Sequence, residues 1–342
     1  MRHGLCALAV AGLFGWQSDP SATLQLGQSS ERQLAGTETH TYQLPLDANS
    51  VARLTVDQHR LDVAVRVEDA SGARLADFDL DSRPDGQESI IVIGDAKGPV
   101  RITVKATYPK LPAGAYAIRV DEIRAATDRD RDEFEAHKLA TSSWDLENAG
   151  KFKEALAQET QALTLADRAI DAKNAFHGML LLRCAELNRA NGDTTEAERL
   201  FKRALAIDDA VFGRENPQTA FVLLRLGALY TALDDYTRSE PLLDEAVAIA
   251  ERTLGPDHPR VSTMLIAQAI PHSFLDDYAF VIACYERALK IAEKTLDADD
   301  FGVLALVNNL GDVHSRIGDY AIAEQYDMRA LAGLEKKFGE DN

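Results

Sequence analysis

Five alanines of this chain, Ala162, Ala204, Ala246, Ala288 and Ala330, stand 42 residues apart. Seven residues before each come Ala155, Ala197, Ser239, Val281 and Ala323. Twelve before come Gly150, Gly192, Asp234, Asp276 and Gly318, and ten before come Phe152, Thr194, Tyr236, Tyr278 and Tyr320. A repeat of this length is one supersecondary unit that cannot bury its apolar face alone, so neighbours must stack into a solenoid. Each unit reads as a helical hairpin. Two small residues seven apart lie on one helix face and let the adjoining helix approach closely. The Gly or Asp before them tolerates the left-handed conformation that ends a helix. The aromatic that follows is expected to anchor the second helix. Two positions depart from the pattern. Pro271 falls in the first helix of the fourth unit and is expected to kink or shorten it by removing a backbone hydrogen bond. Asp327 stands where Phe201, Leu243 and Tyr285 supply a large apolar side chain, with Tyr326 beside it as the compensating group.

Upstream of the repeats the hydrophobic period is two. Tyr42, Leu44 and Leu46 alternate with other residues, as do Leu61, Val63, Val65 and Val67. Val100, Ile102 and Val104 repeat the pattern, and so do Tyr116, Ile118 and Val120. Short alternating segments separated by Gly, Pro and Asp turns predict antiparallel strands with one buried face, and hence two sheets sharing one core. The charged run Asp128 to Glu133 reads as a solvated boundary before the first helix. The expected architecture is multidomain: an N-terminal all-β antiparallel sandwich over residues 21–125, then an all-α superhelix of five hairpins over residues 126–342.

Within the repeats, "LRLGALYTALDDYTRSEPLLDEAVAIAERTLG" places Leu226, Gly227, Tyr230, Ser239 and Ala246 at the offsets of a tetratricopeptide repeat, which this region resembles. The long period and the recurring links "VFGRENP", "TLGPDHP", "TLDADDF" and "KFGEDN" resemble the kinesin-light-chain-like branch of that superfamily. The resemblance covers roughly residues 132–342 and implies an all-α tetratricopeptide superhelix. The segments "GTETHTYQL", "LTVDQHRLDVAVRVEDASGARL", "GQESIIVI" and "LPAGAYAIRV" are similar to the bacterial pre-peptidase C-terminal domain. That family is a small β-sandwich of exported proteins, usually an accessory to a larger protein. Chains joining such a sandwich to these repeats resemble the front half of bacterial proteins that end in a CHAT domain, a caspase-like peptidase with a His/Cys dyad. No residues here match the dyad, so no catalytic role is carried over.

Lys and Arg total 37 against 55 Asp and Glu, giving a net charge of −18 and a pI near 4.9. That balance argues against nucleic acid and against an anionic lipid surface as partners. An apolar run from Leu5 to Trp16 follows Arg2, too short to span a bilayer and suited to a signal-peptide core. Residues 1–20 are therefore expected to be a signal peptide, making the protein periplasmic or secreted. The alternative is a cytoplasmic chain, since "QSDPSA" lacks a clean A-x-A site. No other segment is expected to cross a membrane. Cys6, Cys184 and Cys284 form no CxxC pair, and the last two read as small buried hydrophobes. Asp77, Asp79, Asp81 and Glu88 sit at positions one, three, five and twelve of an EF-hand-like count. Ser82 replaces the required Gly and the flanks are strand-like, so an acidic hairpin edge is the better account. His258 precedes Pro259 and reads as linker. No HExxH, GxSxG, Walker loop or GxGxxG occurs, so no catalytic residue, metal or cofactor is assigned.

Stacked hairpins put their first helices on the concave side, a surface suited to extended peptides or partner domains. Arg183, Arg225 and Asn309 share one inward position of the repeat, Asn308 and Asp312 flank the last of these, and Glu186 corresponds to Asp312. The resemblance implies that polar side chains at this position grip a peptide backbone. Neither arginine is at a small-residue packing position, so replacing both with Ala is expected to weaken binding and leave the fold intact. The expected function is a non-enzymatic scaffold that binds a protein or peptide. The alternative is the regulatory part of a CHAT-type peptidase whose catalytic domain is not in this chain. The last helix keeps Ala323, Ala330, Leu331, Leu334 and Phe338 at internal-repeat positions, and no polar cap follows. A C-terminal domain or partner is expected to cover that end. The sandwich and the repeats are expected to melt separately.

Overall fold

The computed structural model describes residues 22–79, 85–95, 98–108, 110–171 and 174–339. The expected leader, residues 1–20, lies outside them, as do Asp81, Ser82 and the side chain of Phe338.

The alternating segments form β1 (Ala22–Thr23), β2 (Ser29–Leu34), β3 (Thr39–Leu44), β4 (Ser50–His59), β5 (Val63–Glu68), β6 (Arg74–Phe78), β7 (Gln87–Ile93), β8 (Val100–Ala106) and β9 (Gly114–Ala125). One sheet has the order β1-β3-β8-β5-β6 and the other β2-β9-β4-β7. These strands pair antiparallel, except that the short β1 runs parallel to β3. The register sets Tyr42 opposite Ile102 and Val65 opposite Val104, so the apolar residues of neighbouring strands share the inner face. Burying a phenol demands a partner for its hydroxyl. Tyr42 and Tyr116, one from each sheet, supply it to each other across the core at 2.6 Å.

Ten helices follow among the described residues, in five hairpins: α1 (Asp128–Asn148) with α2 (Phe152–Ala169), α3 (Ala175–Ala190) with α4 (Thr194–Val211), α5 (Pro217–Ala232) with α6 (Tyr236–Leu254), α7 (Pro259–Phe274) with α8 (Tyr278–Thr295), and α9 (Phe301–Ile317) with α10 (Tyr320–Phe338). The five periodic alanines are all buried, as are Ala155, Ala197, Ser239, Val281 and Ala323. Close approach is evident at Gly227, where an added Cβ would sit 2.8 Å from the Leu243 side chain. The turns between paired helices are left-handed at Gly150, Gly192, Asp234, Asp276 and Gly318, with φ between +56° and +88°. The links between hairpins are caps. Asn174, Asn216, His258 and Asp300, again 42 apart, each accept a hydrogen bond from the backbone N–H two residues on, satisfying an otherwise orphaned donor. His258 is thus a linker residue that caps α7.

Three expectations need correction. Of the kink or shortening expected at Pro271, the shortening does not occur: α7 has 16 residues, like α3 and α5. The proline lies near the C-terminal end of the helix and its ring is buried, so packing offsets the one backbone bond it cannot make. The periodic aromatics anchor unevenly: Tyr278 packs against the core of the later hairpins and Tyr236 stacks on Phe274 at 5.7 Å, whereas Phe152 is 40% exposed and Tyr320 71%. They begin their helices, where a side chain leans back over the preceding turn. The hydroxyls of Tyr236 and Tyr278 bond to the turn carboxylates of Asp234 and Asp276. Finally, the run Asp128 to Glu133 is solvated only in part, with Asp128 exposed and Asp130 buried. Asp130 is 2% exposed, accepts from Arg53 and Arg124, and completes a capping box with Thr127. Phe134, one turn further along α1, is part of the sandwich core. The two regions are therefore joined by shared core, not by a linker.

Candidate functional site

The first helices α1, α3, α5 and α7 form one wall of a cavity of about 580 Å³, and β6 of the sandwich forms the facing wall. The concave side of the first three hairpins is thus roofed by the N-terminal region.

Arg183 and Arg225 both line this cavity, on successive units as their spacing requires. Their surroundings differ. Arg183 lies over the Trp144 ring at 4.9 Å and reaches Glu147 at 3.0 Å and Glu159 at 3.3 Å. Glu159 is fully buried in α2. Burial raises its carboxyl to about 7, against the opposing pull of the Arg183 guanidinium. Arg183 therefore compensates a buried acid, and removing it leaves that acid unpaired. This pairing argues against its expected dispensability for the fold. Arg225 stacks on Phe221 at 4.7 Å and faces Glu186 at 3.6 Å. Arg225 Nε and Glu186 Oε1 are both shielded from solvent without a hydrogen bond of their own. Glu186 also takes the Arg189 guanidinium at 2.8 Å.

Asn308, Asn309 and Asp312 lie on α9, outside the lining of this cavity. Asn309 is half-buried, Asn308 and Asp312 are exposed, and Asp312 pairs with Arg316 at 2.8 Å. The structure brings Arg183, Glu186 and Arg225 together and leaves the α9 group apart.

Three contributors escaped the sequence reading. Thr141 stands 42 residues before Arg183 and lines the same cavity, so extending the repeat count backwards would have found it. Arg260 lies 5.9 Å from the same Phe221 ring and donates to the Tyr108 hydroxyl at 3.0 Å. His137 stacks on Phe176 at 3.5 Å, and burial lowers its pKa to about 3, so it stays neutral. No periodicity in the repeats could predict Tyr108, Arg74, Asp77 or Asp79, which reach the cavity region from the sandwich.

Among the described residues no group of His, Cys, Asp and Glu is placed to hold a metal ion. Asp77 of the EF-hand-like count pairs with Arg66 at 2.8 Å, and Glu88 is fully buried in β7. Burial raises the thiol pKa of Cys184 and carries that of Cys284 to about 11, which keeps both protonated at neutral pH. No helix among the described residues is long and apolar enough to cross a membrane.

The family profile described as "Tetratricopeptide repeat" matches residues 176–238, 218–294 and 272–336. This stretch carries tetratricopeptide repeats. Solved structures of the same fold include BtubC (BKLC) from P. vanneervenii, at 22% identity and TM-score 0.55, covering 63% of this chain and 85% of that one. A kinesin-light-chain candidate from Podosopora anserina with nearly identical TPR-like repeats is 20% identical, TM-score 0.50, covering 58% of this chain and 95% of that one. A Rap protein solved with competence and sporulation factor is 14% identical, TM-score 0.51, covering 61% of this chain and 56% of that one. No curated protein matches the chain. These likenesses show a tetratricopeptide fold similar to that of kinesin-light-chain-like proteins.

Proposed function

We propose that the chain is a non-enzymatic interaction scaffold that binds a peptide or partner domain on the concave side of its repeats. One observation carries this reading: successive first helices present Thr141, Arg183 and Arg225 at one repeat position along a single cavity wall. Stacked aromatics hold the two guanidiniums as planar forks, the geometry that recognises carboxylates and backbone carbonyls. A similar structure, the Rap protein, was solved with competence and sporulation factor bound, which supports ligand binding as a use of this fold. The decisive variant is Arg225→Ala, because Arg183 has a structural duty. Partners recovered from the source cell on the immobilised chain are titrated against wild type and Arg225→Ala. A loss of at least tenfold with native helicity supports the reading, since a charged hydrogen bond is worth roughly 1.5–3 kcal/mol. Unchanged affinity overturns it.

A second reading, the regulatory part of a CHAT-type peptidase, is favoured by α10. That helix leaves Met328, Leu331 and Leu334 between 38% and 65% exposed along one side, a face that a further domain would cover. Cleavage of a substrate by the recovered complex, absent from the chain alone, supports this reading. A complex without peptidase activity removes it. Export is proposed from the Leu5 to Trp16 run alone. Protein recovered outside the cytoplasm should begin after Trp16, and intact Met1 on all of it overturns export by this route.

A further inference from the structure

β6 is an edge strand, paired to β5 on one side only. An edge offers a row of unpaired backbone groups that another segment can satisfy. Here the other segment is α1. The Asp77 backbone N–H donates to Thr141 Oγ1 at 3.1 Å, and Thr141 holds in the first unit the place that Arg183 and Arg225 hold in the second and third. The binding position of the first unit thus already grips the main chain of an extended strand. Side chains complete the seat: Phe78 packs on His137 at 4.6 Å, and Arg74 pairs with Asp145 of α1. Asp79 and Arg260, of opposite charge, both line the cavity.

The sandwich is held to the repeats at two ends. Near the chain connection, Arg53 and Arg124 converge on buried Asp130, and Arg53 also reaches Glu133 at 2.7 Å. At the far end a single loop after β8 reaches across to the fourth unit. Tyr108 accepts from Arg260 at 3.0 Å, and Lys110 reaches Asp297 at 2.9 Å. Lys110 and Asp297 are well exposed, and such pairs hold weakly.

We infer that β6 is a resident pseudo-ligand of the repeat groove, and that the external partner is an extended segment of the same kind, which displaces β6 when the Tyr108–Lys110 clasp opens. The partner presents a free main-chain edge with a carboxylate that enters the cavity lined by Arg260, as Asp79 does now. The inference rests on the groove reading above and specifies its ligand and its regulation. A tethered competitor lowers the apparent affinity of a free one by the fraction of time the groove is closed.

The test uses the full chain. The probe is the labelled, end-blocked hexapeptide Arg-Leu-Ala-Asp-Phe-Asp, residues 74–79, with a scrambled control. It is titrated into wild type and into Tyr108→Phe/Lys110→Ala, which alters only the sandwich side of the clasp. Opening the clasp should tighten hexapeptide binding at least fivefold and speed amide exchange across β6, and adding Thr141→Val should abolish the gain. Equal binding to both proteins, unchanged β6 exchange, or equal binding of the scrambled peptide overturns the inference. If the hexapeptide fails on the opened chain while cell-derived partners still bind and depend on Arg225, the pseudo-ligand falls and the groove reading stands. If neither binds, both fall.

Discussion

At the scale of single residues, two arginines that the repeat count makes equivalent do different things. Arg183 lies between Glu147 and the fully buried Glu159, whereas Arg225 is half-exposed on Phe221. Removing one partner of a buried ion pair leaves an uncompensated charge. Arg183→Ala should therefore cost about 3–5 kcal/mol in urea unfolding, and Arg225→Ala less than about 1 kcal/mol. Equal costs would contradict this division of labour. Glu159 also sets a pH dependence. Burial carries its pKa from 4.5 to about 7, so between those values the folded chain holds a proton that the unfolded chain has lost. Stability from this group falls as pH rises through the window, and the cost is fully present above it. Asp208, raised from 3.8 to about 7 by burial, acts in the same direction. His137, lowered from 6.5 to about 3, acts oppositely, because the folded chain refuses its proton there. The contribution of Glu159 is therefore read as a difference. Glu159→Gln should gain about 3 kcal/mol on wild type between pH 4.5 and 7. A constant difference across that range would show that Glu159 does not titrate there.

At the scale of elements, the 42-residue count legibly marked the turns, because left-handed backbone admits few residue types. Gly192 has φ +88° with no neighbour near the site of an added Cβ, so its constraint is purely conformational. Gly192→Ala should cost about 1–2 kcal/mol. Gly192→Asp should cost less, since Asp234 and Asp276 hold the same conformation in the next two units. Thermal unfolding of both variants checks this order, and a milder alanine would refute it. The exposure of two periodic aromatics was not legible because spacing fixes where a residue stands along a helix, not which neighbours it meets. Phe152 and Tyr320 begin their helices exposed, while Tyr278 at the same position packs against the core. Pro271 was misread for a related reason: the backbone penalty is local, but the burial that offsets it belongs to the packed array.

At the scale of the whole molecule, the sandwich and the repeats are one mechanical unit at their junction. Phe134 leaves α1 to enter the sandwich core, where it is 7% exposed. Phe134→Ala should cost about 3–5 kcal/mol and lower amide protection in β6, β7 and the first hairpin together, with the last two hairpins unaffected. Lost protection confined to α1 would support the expectation of separate melting. The local patterns were sufficient to specify each half. Alternation with period two places Tyr42, Ile102 and Tyr116 on one inner face, because successive strand residues point to opposite sides. Recurrence of small residues at Ala155 and Ala162 and their counterparts specifies stacked hairpins, because each unit can bury its apolar face only on the next. From the same repeat the sequence also placed Arg183 and Arg225 on one wall. What only tertiary structure decided is what lies opposite that wall. The contacts of Asp77 with Thr141, Tyr108 with Arg260 and Lys110 with Asp297 join residues 64, 152 and 187 positions apart. No period connects such pairs; they arise from the rigid-body placement of one folded half on the other, through shape and charge that appear only once both have formed.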